Sequence, residues 1–254
     1  MISLIRIPTL KLLVTSLMNR NFLLYAFIIT LVFSSGFCSN HCFAQSSTVG
    51  PDFQNPIKEN QILYNGKVWR NLYYYVKGDQ FLFSRNFLHG SLTINGKSFP
   101  DILIKYDIYN DEILTPTNNG FVLQLNKEMV GSFTLDFENK TYRFLNSQGD
   151  SISSIKGYVN VLYKGKSSLY VKYKNEIDLL AVDGKYDLFY QSYRIYFLKD
   201  GVDHQISGKN DLLKLLEENR TQVRDFMKKN MLHVSKKSPE SFIPVIQYYD
   251  SIRH

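Results

Sequence analysis

In residues 102–108 (ILIKYDI), apolar side chains at positions 102, 104, 106 and 108 alternate with Lys105 and Asp107. A period of two places one side of a strand against a core and the other side in water. The same alternation recurs over residues 121–125 and 133–137, where Phe and Leu occupy every second position. The sequence therefore predicts β-strands across the middle of the chain.

Four dipeptides that favour tight turns separate these apolar stretches. They are Asn65-Gly66, Asn95-Gly96, Asp183-Gly184 and Asp200-Gly201. Such pairs accept a positive φ at both central positions of a hairpin turn, which matches the twist of the flanking strands. Hairpins in series predict a curved, antiparallel meander sheet of about ten strands over residues 61–207.

The pattern changes to a helical period near the C-terminus. Leucines, valine, phenylalanine and methionine at helical spacing predict a helix over residues 211–230, with Asn210 as its cap. A second helix is predicted over residues 242–252, with Ser241 as its cap and Pro244 in its first turn. The predicted fold is therefore α+β, with two C-terminal helices packed on the sheet.

The first 44 residues have the order of a secretory signal peptide. Arg20 precedes a run of 12 residues over 22–33 that is apolar apart from Thr30, and small residues follow. Cleavage is predicted after Ala44, which makes Gln45 the first residue of the exported protein. Met18 opens a better-shaped signal than Met1 does, so either methionine is a candidate start.

Two other readings of this leader stay open. An uncleaved anchor is disfavoured, because a membrane span needs about 20 apolar residues. Lipid attachment is disfavoured too, because Cys38 follows Phe37 and Cys42 follows His41 instead of small residues. Both cysteines precede the predicted cut, so the mature chain is expected to contain no disulfide, no thiolate nucleophile and no cysteine metal site.

The predicted organisation has four parts. They are a signal peptide (1–44), a polar, flexible lead segment (45–60), the antiparallel β domain (61–207) and a helical segment packed on the sheet (208–254).

The net charge argues against nucleic acid as a partner. The whole chain has 30 basic and 23 acidic residues, a formal charge of +7. The leader contributes three of the basic residues and no acidic one, so the exported part has a charge of +4. A charge this small is not the footprint of a nucleic-acid-binding protein.

Five stretches resemble a known group of sequences. They are residues 64–69 (YNGKVW), 78–82 (GDQFL), 106–112 (YDIYNDE), 125–130 (LNKEMV) and 248–251 (YYDS). Together they resemble the uncharacterised exported β-rich envelope proteins of Bacteroidetes-type bacteria. The resemblance implies a location in the periplasm or at the outer-membrane periphery, with an extracellular location as the alternative. It implies no catalytic residue.

The densest group of acidic residues is Asp107, Asp111 and Glu112. Carboxylates in such a group are candidates for binding calcium or for hydrolysing a glycosidic bond. Their spacing does not match a calcium loop, and no second acid is evident across a cleft from Glu112. A solvated strand end with turn carboxylates is the favoured interpretation, and a carboxylate-dependent envelope hydrolase is the alternative.

Other catalytic or metal-binding patterns are weak, and we expect no cofactor, no metal and no catalytic residue. Ser167 and Ser168 lack the glycine frame of a nucleophile elbow. The histidines after the predicted cut are scattered, with no two at metal-ligand spacing: His89, His204, His233 and His254.

A basic stripe lies on the first predicted helix. Arg220, Arg224 and Lys228 recur every four residues and therefore share one helix face, with Lys229 beside them. Over residues 209–237, eight basic residues face four acidic ones, an excess equal to the charge of the whole exported part. An ordinary solvated surface is the simplest interpretation. Docking to an acidic partner or to anionic lipid is the functional one.

The chain is also rich in aromatic residues, with 18 Tyr and 18 Phe. If Tyr73-Tyr74-Tyr75 form a strand, Tyr74 points away from its neighbours and shows an aromatic ring outside the core. Packing between strands is the usual role of such residues. A sugar- or peptide-binding surface is the alternative.

These features favour a non-enzymatic binding or assembly factor of the cell envelope. Its predicted partner is an envelope protein, or a lipid or other apolar ligand held in the concavity of the sheet. A structural protein associated with the outer membrane, in peripheral contact with an anionic membrane surface, is a further alternative.

Overall fold

The computed structural model describes residues 62–147 and 155–253 of the 254-residue chain. The predicted signal peptide, its cleavage site at Ala44 and Gln45, and the lead segment lie outside the described residues. Within the described ranges, eleven strands precede three helices. The strands are β1 (Gly66–Val68), β2 (Leu88–Ile94), β3 (Lys97–Asp107), β4 (Glu112–Pro116), β5 (Val122–Leu125), β6 (Val130–Phe137), β7 (Lys140–Asn146), β8 (Tyr158–Lys164), β9 (Ser168–Val182), β10 (Tyr186–Lys199) and β11 (Val202–Ile206).

The helices follow the last strand. They are α1 (Lys209–Leu215), α2 (Arg220–Lys229) and α3 (Ile243–Ile252), with short 3₁₀ turns at Glu217–Asn219 and Pro239–Phe242. Among residues 62–147 and 155–253, no helix combines the length and the apolar character that crossing a bilayer requires.

All eleven strands belong to one antiparallel sheet, in the order β1-β5-β4-β3-β2-β6-β7-β8-β9-β10-β11. The α+β fold predicted from the alternating pattern is therefore confirmed. Sequence neighbours pair almost throughout. The exceptions are β1, which pairs with β5, and β6, which pairs with β2.

The short connection between β5 and β6 requires the first half of the sheet to be rolled. Three strands lie between β5 and β6, so on a flat sheet the two would be about 19 Å apart. The connection is a tight turn, in which the Met129 N–H donates to the Asn126 carbonyl at 3.1 Å. Such a turn holds its first and last Cα atoms within about 7 Å. The sheet must curl until the ends of β5 and β6 are close.

A register irregularity in the β2–β3 pair accompanies this curl. The irregularity lies between Gly90 and Leu92 of β2, opposite Asp101, which has a φ of 50°. A bulge of this kind increases the local twist. Gly90 also lies against β6, where a Cβ atom would be 2.0 Å from the Thr134 carbonyl oxygen. Only glycine allows the two backbones to approach this closely.

Three of the four predicted hairpin turns are confirmed. Asn95-Gly96, Asp183-Gly184 and Asp200-Gly201 have positive φ at both positions and join consecutive strands. The prediction for Asn65-Gly66 is wrong, because Gly66 begins β1, which pairs with the distant β5. A hairpin signal reports on local backbone preference and does not choose the strand's partner.

The core has two large clusters, one inside the rolled part and one under the helices. Inside the roll, the rings of Tyr106, Phe133, Phe144 and Tyr158 contact one another and are at most 2% exposed. The second cluster joins apolar residues of β9, β10 and β11 to the three helices: Leu169, Val171, Ile195, Phe197, Ile206, Leu212, Leu216, Val223, Met227, Val245, Ile246 and Tyr249.

The predicted pair of helices is corrected to three. The 3₁₀ turn Glu217–Asn219 divides the predicted helix 211–230 into α1 and α2, which lets apolar residues of both helices enter the second cluster. Asn210 lies inside α1, whose N-terminal cap is Gly208. Ser241 belongs to the turn before α3, and its hydroxyl donates to the Ser238 carbonyl at 2.5 Å instead of capping the helix.

Candidate functional site

Helix α2 has one buried and one fully exposed side. Val223 and Met227 are buried in the core, and the Phe226 ring stacks on Tyr248 of α3 with centroids 3.9 Å apart. The predicted basic stripe occupies the solvent side, where all four side chains are exposed: Arg220, Arg224, Lys228 and Lys229. Packing against α3 therefore fixes the direction in which these cations point.

The cations on this surface are not engaged in ion pairs with any described residue. None of the four cations forms an ion pair within residues 62–147 and 155–253, and neither does the exposed Asp225 between them. Elsewhere in the fold, cations such as Lys127, Lys172 and Arg253 pair with carboxylates. Helix α2 carries four exposed cations and one exposed anion, Asp225, so its surface has an excess of positive charge. The four cations are here named the α2 face (Arg220, Arg224, Lys228 and Lys229).

The C-terminal end of α2 presents an apolar side chain next to these cations. The Leu232 N–H donates to the Met227 carbonyl at 2.9 Å, and the Met231 N–H donates to the Lys228 carbonyl at 3.2 Å. This is the Schellman ending of a helix, whose left-handed position is usually glycine. Here the position is Met231, with a φ of 51° and 83% of its surface exposed. Sequence reasoning missed this residue, because methionine is not a helix-ending signal.

An open groove of about 390 Å³ adjoins this helix end. Two lysines and a histidine contribute polar groups to it, and two methionines, a leucine and a valine contribute apolar surface. The lining residues are Lys209, Met227, Lys228, Met231, Leu232, His233 and Val234. The groove therefore extends the α2 face with a mixed cationic and apolar surface.

Asp107, in the predicted carboxylate group, is a structural residue. Its carboxylate is completely buried at the end of β3. It accepts hydrogen bonds from the backbone N–H groups of Tyr109 and Asn110 and from the side chains of Asn110 and Gln80, at 2.9–3.1 Å. Burial raises the pKa of Asp107 above its usual value. The four donors shape the β3–β4 turn, as aspartate commonly does.

Asp111 is the centre of an ion-pair network beneath the same turn. Lys127 Nζ donates to Asp111 Oδ2 at 2.5 Å, and Lys172 Nζ donates to Oδ1 at 2.9 Å. The Tyr106 hydroxyl donates to Oδ1 at 2.5 Å. Burial raises the pKa of Asp111, but the charge of Lys172 and these hydrogen bonds outweigh burial and lower it overall. The network ties the β3–β4 turn to β3, to the β5–β6 turn and to β9.

Glu112 is the only one of the three carboxylates that lines a groove. The groove has a volume of about 350 Å³, and its other lining residues include Lys67, Trp69 and Tyr73. Burial and the charge of Asp107 raise the pKa of Glu112. Glycosidic hydrolysis needs two acids flanking a cleft, about 5–10 Å apart. Among the described lining residues Glu112 is the only acid, so the geometry offers no such pair.

Histidine and acidic side chains do not converge on a metal position anywhere in the described ranges. His89 lies on β2 and accepts or donates a hydrogen bond with Asp101 at 2.7 Å, while His204 lies on β11. His233 lies after α2, 3.0 Å from the Met231 carbonyl. His254 falls outside the described residues.

Asp250 is a structural residue that sequence reasoning did not single out. It lies on α3, is 7% exposed, and accepts hydrogen bonds from Ser167 N–H at 2.9 Å, Ser167 Oγ at 2.7 Å and Tyr163 Oη at 3.0 Å. A Cβ atom on Gly165 would be 2.7 Å from its carboxylate. Asp250 therefore fastens α3 to the β8–β9 turn.

The prediction that Tyr73-Tyr74-Tyr75 form a strand is wrong. Between β1 and β2 the chain forms turns and isolated bridges, such as that of Lys77 with Leu188. The Tyr73 ring packs edge-on against Tyr109 at 4.8 Å, whereas Tyr74 and Tyr75 are exposed. Aromatic preference for strands did not outweigh the tertiary contacts of this segment.

Comparison of the chain with known proteins finds no matching family model, no matching curated protein and no matching solved structure.

Proposed function

We propose that this chain is an exported, non-enzymatic protein of the cell envelope that docks through the α2 face onto a negatively charged envelope surface. The observation that carries the proposal is the set of four exposed cations without a described acidic partner. Unneutralised charge on a rigid helix attracts opposite charge and speeds association.

Two other observations favour this proposal over the alternatives. Asp107 and Asp111 of the predicted carboxylate group are engaged in hydrogen bonds and ion pairs. Of the three described carboxylates, only Glu112 lines a groove, and hydrolysis of a glycosidic bond would need a second acid there. The inner side of the rolled sheet is occupied by Tyr106, Phe133 and Phe144. These side chains occupy the space that a ligand in the concavity of the sheet would need. Docking through the α2 face requires no such space.

The location is tested on the protein as it accumulates in the producing cell. We expect it outside the cytoplasm, with Gln45 as its first residue, which mass spectrometry of the intact protein measures. A product that begins at Met1 or Met18 and stays in the cytoplasm would contradict the export part of the proposal.

Docking is tested by co-sedimentation with envelope membranes of the producing bacterium. The variant Arg220→Glu, Arg224→Glu, Lys228→Glu is expected to lose at least roughly a hundredfold in apparent affinity, because each cation near an anionic surface contributes about 1 kcal/mol and each glutamate adds repulsion. Raising the ionic strength should weaken wild-type binding in the same way.

A second triple variant controls for net charge. Arg143→Glu, Lys164→Glu and Lys185→Glu change the same number of exposed cations, none of which forms an ion pair among the described residues. We expect this variant to bind within about threefold of the wild type, because its charges lie outside the α2 face. Equal losses in both variants, or binding that persists at high salt, would contradict docking through this helix.

A further inference from the structure

We infer that the α2 face docks on the headgroup layer of an anionic phospholipid bilayer, with Met231 inserted as an apolar anchor. This inference rests on the proposed function and names its partner. Three features of the surface support it: the cations without an ion pair to a described residue, the exposed methionine and the groove beside them.

The backbone conformation of Met231 costs free energy. Its φ of 51° lies in the left-handed region, where a side chain is disfavoured and glycine is the ordinary residue. The two hydrogen bonds of the helix ending hold the backbone there and leave the side chain 83% exposed. A long apolar side chain in this position gives the folded protein no core contact to offset that cost, whereas burial in a membrane interface would offset it.

The surroundings of Met231 match the layers of an anionic bilayer. Lys228 and Lys229 precede it on α2, and Lys209 and His233 line the adjoining groove. Phospholipid phosphates present negative charge at the surface, and the acyl chains begin a few ångströms beneath them. Cations around a single protruding apolar side chain are complementary to both layers at once.

An acidic protein fits this surface less well. Its carboxylates would complement Arg220, Arg224 and Lys228 but would leave Met231 without an apolar counterpart. The helix is also convex, and the groove beside it has apolar walls formed by Leu232 and Val234. The bilayer is therefore the partner that complements both the four cations and the exposed methionine.

Binding to vesicles of defined composition tests the inference. The protein is purified in the form that accumulates in the cell. It is then titrated with phosphatidylcholine vesicles and with vesicles in which part of this lipid is replaced by phosphatidylglycerol. We expect measurable partitioning to the anionic vesicles only. Arg224→Gln and Lys228→Gln should each lower the affinity for these vesicles about fivefold.

Substitutions at Met231 separate insertion from charge. Met231→Gln keeps the length and the backbone strain but removes the apolar surface, so we expect a loss on the order of tenfold. Met231→Leu should bind like the wild type. Met231→Gly should lose as much binding as Met231→Gln while its unfolding midpoint in urea rises, because glycine relieves the left-handed strain. A variant that binds more weakly but is more stable cannot have lost binding because it unfolds.

Two results would overturn the inference. The first is equal partitioning of the wild-type protein to neutral and anionic vesicles. The second is unchanged affinity of Met231→Gln for anionic vesicles. If the charge-reversed α2 variant loses envelope binding while purified anionic vesicles fail to bind the wild type, docking through the α2 face stands and the lipid assignment fails. If envelope binding is also insensitive to the α2 charges, the proposed function fails as well.

Discussion

Replacing Asp250 with alanine should loosen the helical segment that presents the α2 face. The carboxylate of Asp250 accepts two hydrogen bonds from Ser167 in the β8–β9 turn and one from Tyr163 near the end of β8. Its helix also contributes Tyr248, whose ring stacks on Phe226 of α2. The substitution therefore removes an anchor on which the orientation of the docking helix depends.

The magnitude follows from the burial of the donors. Ser167 is 2% exposed, so its N–H loses a partner that water cannot replace, at about 1–3 kcal/mol. Each hydrogen bond to a charged acceptor contributes about 1.5–3 kcal/mol, and the three are not additive because they share one carboxylate. We expect Asp250→Ala to lower the free energy of unfolding by about 3–5 kcal/mol. With a urea dependence of about 2 kcal/mol per molar, the midpoint falls by about 2 M.

Urea unfolding measures this change with two probes. Circular dichroism reports on the helices and strands together, and fluorescence reports on Trp69, the single tryptophan, which lies before β2. Asp250→Asn keeps the shape and one acceptor oxygen, so it should lose about half as much stability. Asp178→Asn is the matched control, since Asp178 is an exposed aspartate in the β9–β10 hairpin. If Asp250→Ala shifts the midpoint no more than this control does, the anchoring role is refuted.

Two further substitutions test the rolled sheet. Asp111→Asn should lower the free energy of unfolding by about 2–4 kcal/mol at neutral pH. The native pKa of Asp111 lies below its usual 3.8, so its contribution is present above that value and lost as the pH falls through the native pKa. The gap between variant and wild type should therefore close in acid, and a gap independent of pH would contradict the ion-pair account. Gly90→Ala should cost about 1–3 kcal/mol, because its Cβ would overlap the Thr134 carbonyl. Gly131→Ala, whose Cβ has no neighbour closer than 4.0 Å, is its control, and equal urea midpoints for the two would refute the close-approach argument.

The strands and most hairpins could be predicted because their signals are local. Alternation over residues 102–108 correctly indicated that Ile104, Tyr106 and Ile108 face the core, although Asp107 on the other side is buried as well. Pairs such as Asp200-Gly201 indicated the turns. The site was predicted only in part. The helical spacing of Arg220, Arg224 and Lys228 indicated a shared face, whereas the exposure of Met231 depends on a helix ending that methionine does not signal.

The carboxylate group shows why composition could not assign roles. Asp107, Asp111 and Glu112 are near neighbours in the sequence and meet three different environments. Asp107 is buried among amide donors, Asp111 is paired with Lys127 and Lys172, and Glu112 lines a groove. The partners lie up to 61 positions away along the chain, so they are set by strand pairing.

The β-rich chain, the helices at its end and the basic stripe on one of them could be read from local sequence, because backbone preference and side-chain period act over a few residues. The rolling of the sheet around its own aromatic side chains, and the internal engagement of Asp107 and Asp111, are properties of the folded chain alone. The tertiary structure also decided that the cations of α2 remain unpaired beside an exposed methionine. Those features depend on which distant strands and helices pack together, and packing is determined by the sum of many weak contacts over the whole fold.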